Sequence, residues 1–515
     1  MITHDPVRFW ASVQPKRVAL RSSQTAWTYS ELDGAVWTAS DALLERGLGS
    51  GEHVSLEFDP EDALAMMVAF YAVQRIGLLP VLVSTRATAE ERQRMRERAQ
   101  VDFTLTAGDL DMPRLDDDET TEPPPAATTN GSAGTPVPAS AKAAPAPEPW
   151  ETDEDLFLER RLDAPAAVVF TSGTSAGPRA VVLTHGNFLW SALGSARNLG
   201  VRANDIWLCC MPLHHVGGIS IPIRAATAGT AALLHPGFDA ARVNQAIDED
   251  GVTLVSLVPT MLARLLEDRG GRPFPSSLRA ALIGGAASPV ELLEKAAALE
   301  MRALPTYGLT EAASQVSTLS PREWPSGLAS AGRPLPYTHV EIRGADGGAV
   351  GQGVEGEIVV RGPTVMAGYL GDPGATEAAL ERRCLRTGDV GVWDEEGRLV
   401  VLDRRADRIV TGGENVSPEE VEIVITSHPA VVQACVVGLP SREWGSEVAA
   451  AVVLLPGRSL SLEELREHAG SRLSGFKLPR LLVAVDALPR SAGGKLLRRV
   501  VRERLLDEMA KEKHP

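Results

Sequence analysis

Cysteine is scarce in this chain, with four in 515 residues. Cys209, Cys210, Cys384 and Cys435 make no CxxC pair and no zinc-ligand spacing, and two adjacent cysteines are poorly placed to bridge each other. A disulfide framework is excluded, and a reducing cytoplasm is the expected compartment. Long hydrophobic runs are missing too. No stretch reaches the roughly eighteen apolar residues that a membrane-spanning helix needs. The opening MITHDPVRFW has no basic segment followed by an apolar core, so no secretory signal is expected. Positive charge is in deficit: 51 Lys and Arg against 67 Asp and Glu leave a net charge of −16. A nucleic-acid partner would want a basic face, so that class is set aside. What remains, 44% hydrophobic and 23% charged, suits a globular enzyme of two or more domains with a sizeable core.

The rest of the chain is organised around residues 166–187, AAVVFTSGTSAGPRAVVLTHGN. An apolar run, Ala166–Phe170, opens into a loop of glycines and hydroxyl side chains, and a second β-branched run, Ala180–Thr184, follows at once. Glycines let a backbone approach a ligand closely, and successive N–H groups can form an anion-binding concavity. Thr171, Ser172, Gly173 and Thr174, with the fixed charge of Arg179, therefore predict a phosphate chain as ligand. The loop is not a Walker A loop, which needs Gly-Lys-Ser/Thr leading into a helix. Taken alone, a polar hairpin turn explains it equally well.

Along the chain, residues 1–110 alternate helix-like and strand-like segments. A helix is expected with Ser30 as N-cap and a face of Leu32, Val36, Ala39 and Leu43; strands are expected at 53–58 and 79–83, with a helix at 63–76 between them. That alternation predicts a layered α/β domain. Residues 112–152 are rich in Pro, Ala and Ser with almost no large apolar residue, and read as a disordered insertion. A buried strand before Met211-Pro212-Leu213-His214-His215-Val216-Gly217-Gly218 ends in a histidine pair. With no third ligand evident, a zinc site is rejected. Strands at 252–258 and 280–285 each lead into a helix. Thr306-Tyr307-Gly308-Leu309-Thr310-Glu311 combines a ring that can stack on a purine, a hydroxyl that can reach phosphate, and a carboxylate that can hold Mg²⁺. A charged run around 403–408 marks a seam before a final β/α segment, which closes on Arg490-Ser491-Ala492-Gly493-Gly494-Lys495.

These stretches, in this order, resemble the adenylate-forming superfamily of acyl-CoA synthetases, adenylation domains and luciferases. Its phosphate loop reads roughly T-S-G-T-T-G-x-P-K-G-V; here Arg179 replaces the lysine and Ala180 the glycine. Arginine keeps the charge but is planar and bulkier. Within the superfamily, WLCCMPLHHVGGISI at 207–221, VSLVPTMLARLL at 255–266, TYGLTEAASQVSTL at 306–319, AGRP at 331–334 and GGEN at 412–415 look most like the o-succinylbenzoate–CoA ligases of menaquinone biosynthesis.

The resemblance implies a large multi-subdomain α/β N-terminal domain over residues 1–403, with layered sheets and a small β-subdomain. A small mobile α+β domain over 404–515 would follow. It implies an ATP-dependent ligase that makes an acyl-adenylate and then a coenzyme A thioester, with Mg²⁺ as cofactor and a small carboxylic acid as substrate. By the same carry-over, Thr171, Ser172, Gly173, Thr174 and Arg179 hold the β/γ-phosphates, Thr310 the α-phosphate and Glu311 the Mg²⁺. Tyr307 stacks on adenine, with Gly285 and Ala286 on its other face. Asp389, assisted by Arg404, takes the ribose hydroxyls. His215 lies beside the acyl pocket, and Lys495 bridges the α-phosphate and the attacking carboxylate. For thiol attack the C-terminal domain swings about Arg405-Ala406, so that Gly412 and Gly413 line the pantetheine tunnel. Because o-succinylbenzoate carries a second carboxylate, Arg224 is the expected counter-charge, with Thr260, Ser288 and Ser314 lining the same pocket; an Arg lying on a helix surface with its head in water is the plain alternative. A homodimer or homotetramer is expected from family habit alone. Three other readings stay open: a general aryl- or fatty-acyl-CoA ligase, an adenylation domain that loads a carrier protein, and a non-catalytic nucleotide-binding homologue. The Pro212–Ile221 turn has no acidic residue for a substrate amine, which weighs against the second. Only the Arg179 and Ala180 departures support the third.

Overall fold

The computed structural model describes residues 2–22, 25–110, 159–174, 177–286, 288–403, 409–489 and 498–512. The insertion expected at 112–152, Arg404, the hinge at Arg405-Ala406 and Lys495 lie outside them.

Two large sheets build the first domain. In the six-stranded sheet, the parallel strands His53–Leu56 and Leu79–Leu82 lead to β1 (Pro165–Thr174), which turns back antiparallel as β2 (Gly177–Thr184). The nine-stranded sheet has a parallel centre of Ala231–Leu234, Ile206–Cys209, Leu254–Leu257, Ala280–Ile283 and β3 (Ala303–Leu309), closed by antiparallel β4 (Ser314–Thr318). Leu254–Leu257 and Ala280–Ile283 are buried along their whole length. Continuous apolar runs of this kind are what a sheet covered on both faces requires. A third, antiparallel sheet of His339–Arg343, Gly356–Arg361, Cys384–Trp393, Leu380–Glu381 and Leu399–Asp403 is the small β-subdomain.

Four helices matter for the site. α1 (Ala89–Arg98) starts in a reciprocal cap, with Thr88 accepting from the Glu91 N–H and Glu91 accepting from the Thr88 N–H. α2 (His185–Leu199) uses the same device between Thr184 and Asn187. Each such cap contributes about 1 kcal/mol by satisfying donors that the first turn leaves open. α3 (Val216–Ala228) follows the histidine pair and packs on α2. It carries Pro222 in its interior, whose missing N–H leaves the Gly218 carbonyl without its helical donor. The Cys209 thiol lies 3.6 Å from that carbonyl and 3.6 Å from the Met211 carbonyl, and its one proton is shared between them. α4 (Pro259–Arg269) has proline at its first position, where no N–H is needed.

The expected elements of the first hundred residues are present, with one correction. The helix at Tyr29–Glu45 is capped by Thr28, not Ser30, because Glu31 stands three residues on and completes a capping box with it. In the C-terminal part, Glu414–Val416, Ile409–Thr411, Gly445–Leu454 and Val431–Ser441 form a sheet joined by parallel Leu481–Ala484. Its apolar clusters contain only residues from 409 onward, whereas the large core ends at Leu399.

Candidate active site

The β1–β2 hairpin and the β3–β4 turn are brought side by side. Gly308 in that turn is fixed by space: a Cβ there would sit 1.7 Å from the Ser314 carbonyl oxygen. The chain then rounds a 3₁₀ turn, Thr310–Ala312, which aims Thr310 and Glu311 at the hairpin. Thr171 is buried and pairs across the hairpin with Arg179, while Ser172, Gly173 and Thr174 continue β1 toward the tip. Tyr369 links the two motifs. Its hydroxyl donates to Glu311 Oε1 at 3.0 Å, and the Arg179 guanidinium lies 5.1 Å from its ring centre. Burial and the Glu311 carboxylate push the Tyr369 phenol above its usual pKa, so it stays a donor. A carboxylate oxygen beside a phosphate-type loop is the donor chemistry a hard divalent cation prefers.

Three cavities meet around this point. The inner one, about 170 Å³, is lined by Thr171, His215, Arg224, Gly308, Thr310, Ser314 and Gly413 among others. The outer one, about 570 Å³, is lined by Gly285, Ala286, Ser288 and Tyr307, and by Val437, Gly438 and Arg502 from the C-terminal domain. Tyr307 is buried and donates its hydroxyl to Asp389 Oδ2 at 2.7 Å, which ties the purine-stacking candidate to the ribose-binding candidate. A third cavity of about 300 Å³ runs past His214, Arg86, Arg264, Thr260, Gly412 and Trp444.

Arg224 is 6% exposed in the interior of α3, which excludes an arginine snorkelling to water. Its Nη2 donates to Ser191 Oγ at 3.2 Å, its guanidinium lies 5.7 Å from the Trp207 ring, and its Nε has no hydrogen-bond partner. No described carboxylate pairs with it. Burial alone pulls its pKa down to about 9, so it remains a cation at neutral pH without a counter-ion. Ser314 shares that cavity, as expected. Thr260 and Ser288 do not: Thr260 sits at the start of α4 against Gly445 in the third cavity, and Ser288 lines the outer one. A residue number near a strand end does not say which side of the sheet edge its side chain enters.

Sequence reasoning missed Glu414. It arrives from the C-terminal domain, 5% exposed, with Oε2 2.8 Å from His215 Nε2 and Oε1 3.8 Å from His214 Nε2. Burial works to raise its pKa, but the two imidazoles hold it well below the carboxylate range. His214 is depressed chiefly by burial. The third acidic or imidazole group whose lack ruled out a metal is therefore present, within 4.8 Å of both histidines. The 2.8 Å contact is already a hydrogen bond between two of the three, and it joins the domains. The signal lies in Gly412-Gly413-Glu414-Asn415, which the resemblance singles out without a role for its glutamate. Those glycines adopt φ of +56° and +87°, and Gly412 packs on the Trp444 ring.

Two domains closing over a phosphate-type hairpin, a cation-type carboxylate and an acid pocket define an adenylate-forming enzyme. The AMP-binding enzyme model matches residues 7–370, and the AMP-binding enzyme C-terminal domain model matches residues 420–495. The chain belongs to the AMP-binding enzyme family. A 2-succinylbenzoate–CoA ligase of Bacillus cereus is 37% identical over 500 residues, covering 97% of this chain and 98% of that protein. Among solved structures, a double mutant of the o-succinylbenzoate CoA synthetase of Bacillus subtilis, bound to its product analogue OSB-NCoA, matches with TM-score 0.84 and 33% identity over 98% of this chain and 99% of that one. The same synthetase with the acyl-adenylate OSB-AMP matches at 0.68, with 32% identity and 98% coverage of both. Identity and coverage hardly differ between the two, so the score difference lies in the arrangement of parts.

Proposed function

We propose that this protein is an ATP-dependent acid–CoA ligase that converts 2-succinylbenzoate to 2-succinylbenzoyl-CoA. The observation that carries the substrate is Arg224. A buried cation with no described carboxylate partner lines a cavity of about 170 Å³, and an anion bound there would offset the cost of its burial. A dicarboxylate supplies one: its succinyl carboxylate reacts while its benzoate pairs with Arg224. A fatty acid has no second charge to offer. The alternative of a non-catalytic homologue loses its support, since Arg179 stands against Tyr369 beside Glu311 and keeps the positive charge in the site.

A carboxylate must be activated because oxide is too poor a leaving group. Its oxygen attacks the α-phosphorus of ATP and pyrophosphate leaves. The enzyme's part is alignment and charge offset. Thr171, Ser172, Gly173, Thr174 and Arg179 hold the β/γ-phosphates, and Thr310 the α-phosphate. Tyr307 stacks on adenine against Gly285 and Ala286, and Asp389 with Arg404 takes the ribose. Glu311 would hold magnesium, which offsets phosphate charge when bound. Lys495 bridges the α-phosphate and the carboxylate. After the C-terminal domain, residues 404–515, swings about Arg405-Ala406, the coenzyme A thiol enters past Gly412 and Gly413. Its sulfur releases its proton to solvent and bonds to the acyl carbon, and AMP leaves with the electron pair of the broken C–O bond. Reliance on ATP and coenzyme A favours a cytoplasmic site. Among the described residues no helix is long and apolar enough to cross a membrane.

The test is carboxylate-dependent ATP–pyrophosphate exchange with o-succinylbenzoate, benzoate, a cinnamate and a medium-chain fatty acid, with Lys495→Ala as control. Exchange with o-succinylbenzoate alone, lost in the variant, is expected. Exchange with the other acids instead would overturn the substrate and keep the ligase.

A further inference from the structure

We propose that Lys477 and Glu91 form a latch between the domains that holds the arrangement used for thioester formation and plays no part in adenylation. The inference rests on the ligase reading above. Lys477 ends the turn Gly475–Lys477 in the C-terminal domain and is 6% exposed. Its Nζ donates to Glu91 Oε1 at 2.5 Å and to Glu420 Oε1 at 2.9 Å. Ser474, three residues earlier, donates its hydroxyl to Glu91 Oε2. Glu91 belongs to α1 of the N-terminal domain and is 1% exposed.

Three features make this a switchable contact and not mere packing. Glu91 is oriented by its own helix, since it accepts the Thr88 N–H in the cap whether or not the other domain is docked. Glu420 lies in the same domain as Lys477, so when the domains part Lys477 keeps one carboxylate and is not left as a bare buried charge. The other Lys or Arg pairs across the seam among the described residues are more open: Arg86, near Glu414, is 48% exposed, and Arg442, near Glu267, is 88% exposed. Exposed pairs contribute little. Within the buried triad, the two carboxylates raise the lysine pKa against the effect of burial, and Lys477 lowers that of Glu91.

The arrangement that contains the latch scores 0.84 against the product-analogue complex and 0.68 against the acyl-adenylate complex of one and the same relative. Residues on different domains cannot keep a 2.5 Å contact through a rigid-body rotation, so the pair belongs to one arrangement alone. Losing it shifts the population away from that arrangement. Lys477 is thus a positioning residue for the second half-reaction.

The experiment separates the half-reactions in Lys477→Met, which keeps the aliphatic stem, in Glu91→Gln, which keeps the helix cap, and in the double variant. Pyrophosphate exchange with o-succinylbenzoate is measured without coenzyme A. The thioester step is measured by adding coenzyme A to enzyme already carrying the acyl-adenylate. Exchange is expected to stay within about twofold of wild type throughout, while the maximal rate of the thioester step falls about ten- to hundredfold in each single variant and no further in the double. Lys477→Arg should restore part of it. Equal loss in both half-reactions, an unchanged thioester step, or losses that multiply in the double variant would overturn the latch. Absence of carboxylate-dependent exchange in the wild type would instead overturn the ligase reading, and the latch with it.

Discussion

Two groups of buried charge in the N-terminal domain invite comparison. Around Asp5, the carboxylate accepts the Val7 and Arg8 N–H groups on one oxygen and the Arg75 and Arg160 guanidinium groups on the other. Arg75 continues to Asp33, and Asp33 to Arg8. Every charge there meets its opposite. Around Arg224, an equally buried guanidinium meets a serine hydroxyl and an indole face. The first group ties the chain start to β-strand and helix segments that lie far away in sequence. The second has been left incomplete. Burial by itself therefore says little about role; what separates scaffold from site is whether each buried charge finds an opposite charge within the protein.

The largest effect expected from this contrast is on activity. Arg224→Met should lower kcat/KM for o-succinylbenzoate by about two to three decades, the usual loss for one positioned charge. It should leave melting temperature unchanged or raise it, because it removes an unpaired ion from the interior. Steady-state kinetics and a thermal melt read both, and a parallel loss of activity and stability would mean that Arg224 is packing. Asp5→Asn should do the converse. It strands Arg160, leaves Arg75 with Asp33 alone, and should lower unfolding free energy by about 3 kcal/mol, with kcat per folded molecule unchanged, as urea titration with matched assays would show.

The smallest effects sharpen the comparison at opposite ends of the pH scale. Despite burial, Arg160 and Arg75 hold Asp5 at a pKa of about 2, against 3.8 when unfolded. The folded pKa is depressed, so its stabilisation, about 2 kcal/mol, is complete above pH 3.8 and fades as pH falls toward 2. The stability gap between wild type and Asp5→Asn should close over that range. Arg224 is a base whose folded pKa is lowered to about 9. Its charged form is disfavoured in the fold, so wild-type stability should gain on Arg224→Met only as pH rises above about 9. Urea midpoints across pH test both windows, and a gap that stays flat below pH 3.8 for Asp5→Asn or above about pH 9 for Arg224→Met would break the distinction.

Much of this was legible in the chain because local chemistry fixed it. The hairpin at 166–184, the alternation of the first hundred residues and the strand–turn run to Glu311 each announce themselves by periodicity and turn residues. Arg224 was legible as a lone charge in a small apolar stretch. Thr260 and Ser288 line neighbouring cavities and not the one that holds Arg224 and Ser314, because cavity membership depends on how two domains and two sheets meet. Tyr369, Glu414 and Lys477 went unnoticed for the same reason: their partners lie in sequence-distant segments, and no local pattern marks them. Thr28, not Ser30, takes the cap by a purely local rule, the glutamate three residues on.

Pro222 carries a last consequence. By withholding its N–H it leaves the Gly218 carbonyl to share the Cys209 thiol proton with the Met211 carbonyl. Burial pushes the pKa of that thiol up to about 12, so it keeps its proton at any pH a cell reaches and reacts poorly as a nucleophile. Anyone building a cysteine-free version of this enzyme for site-specific labelling should treat Cys209 as a hydroxyl-like position. Serine can preserve the donor there, whereas alanine or valine would leave a buried carbonyl open at the helix that carries Arg224.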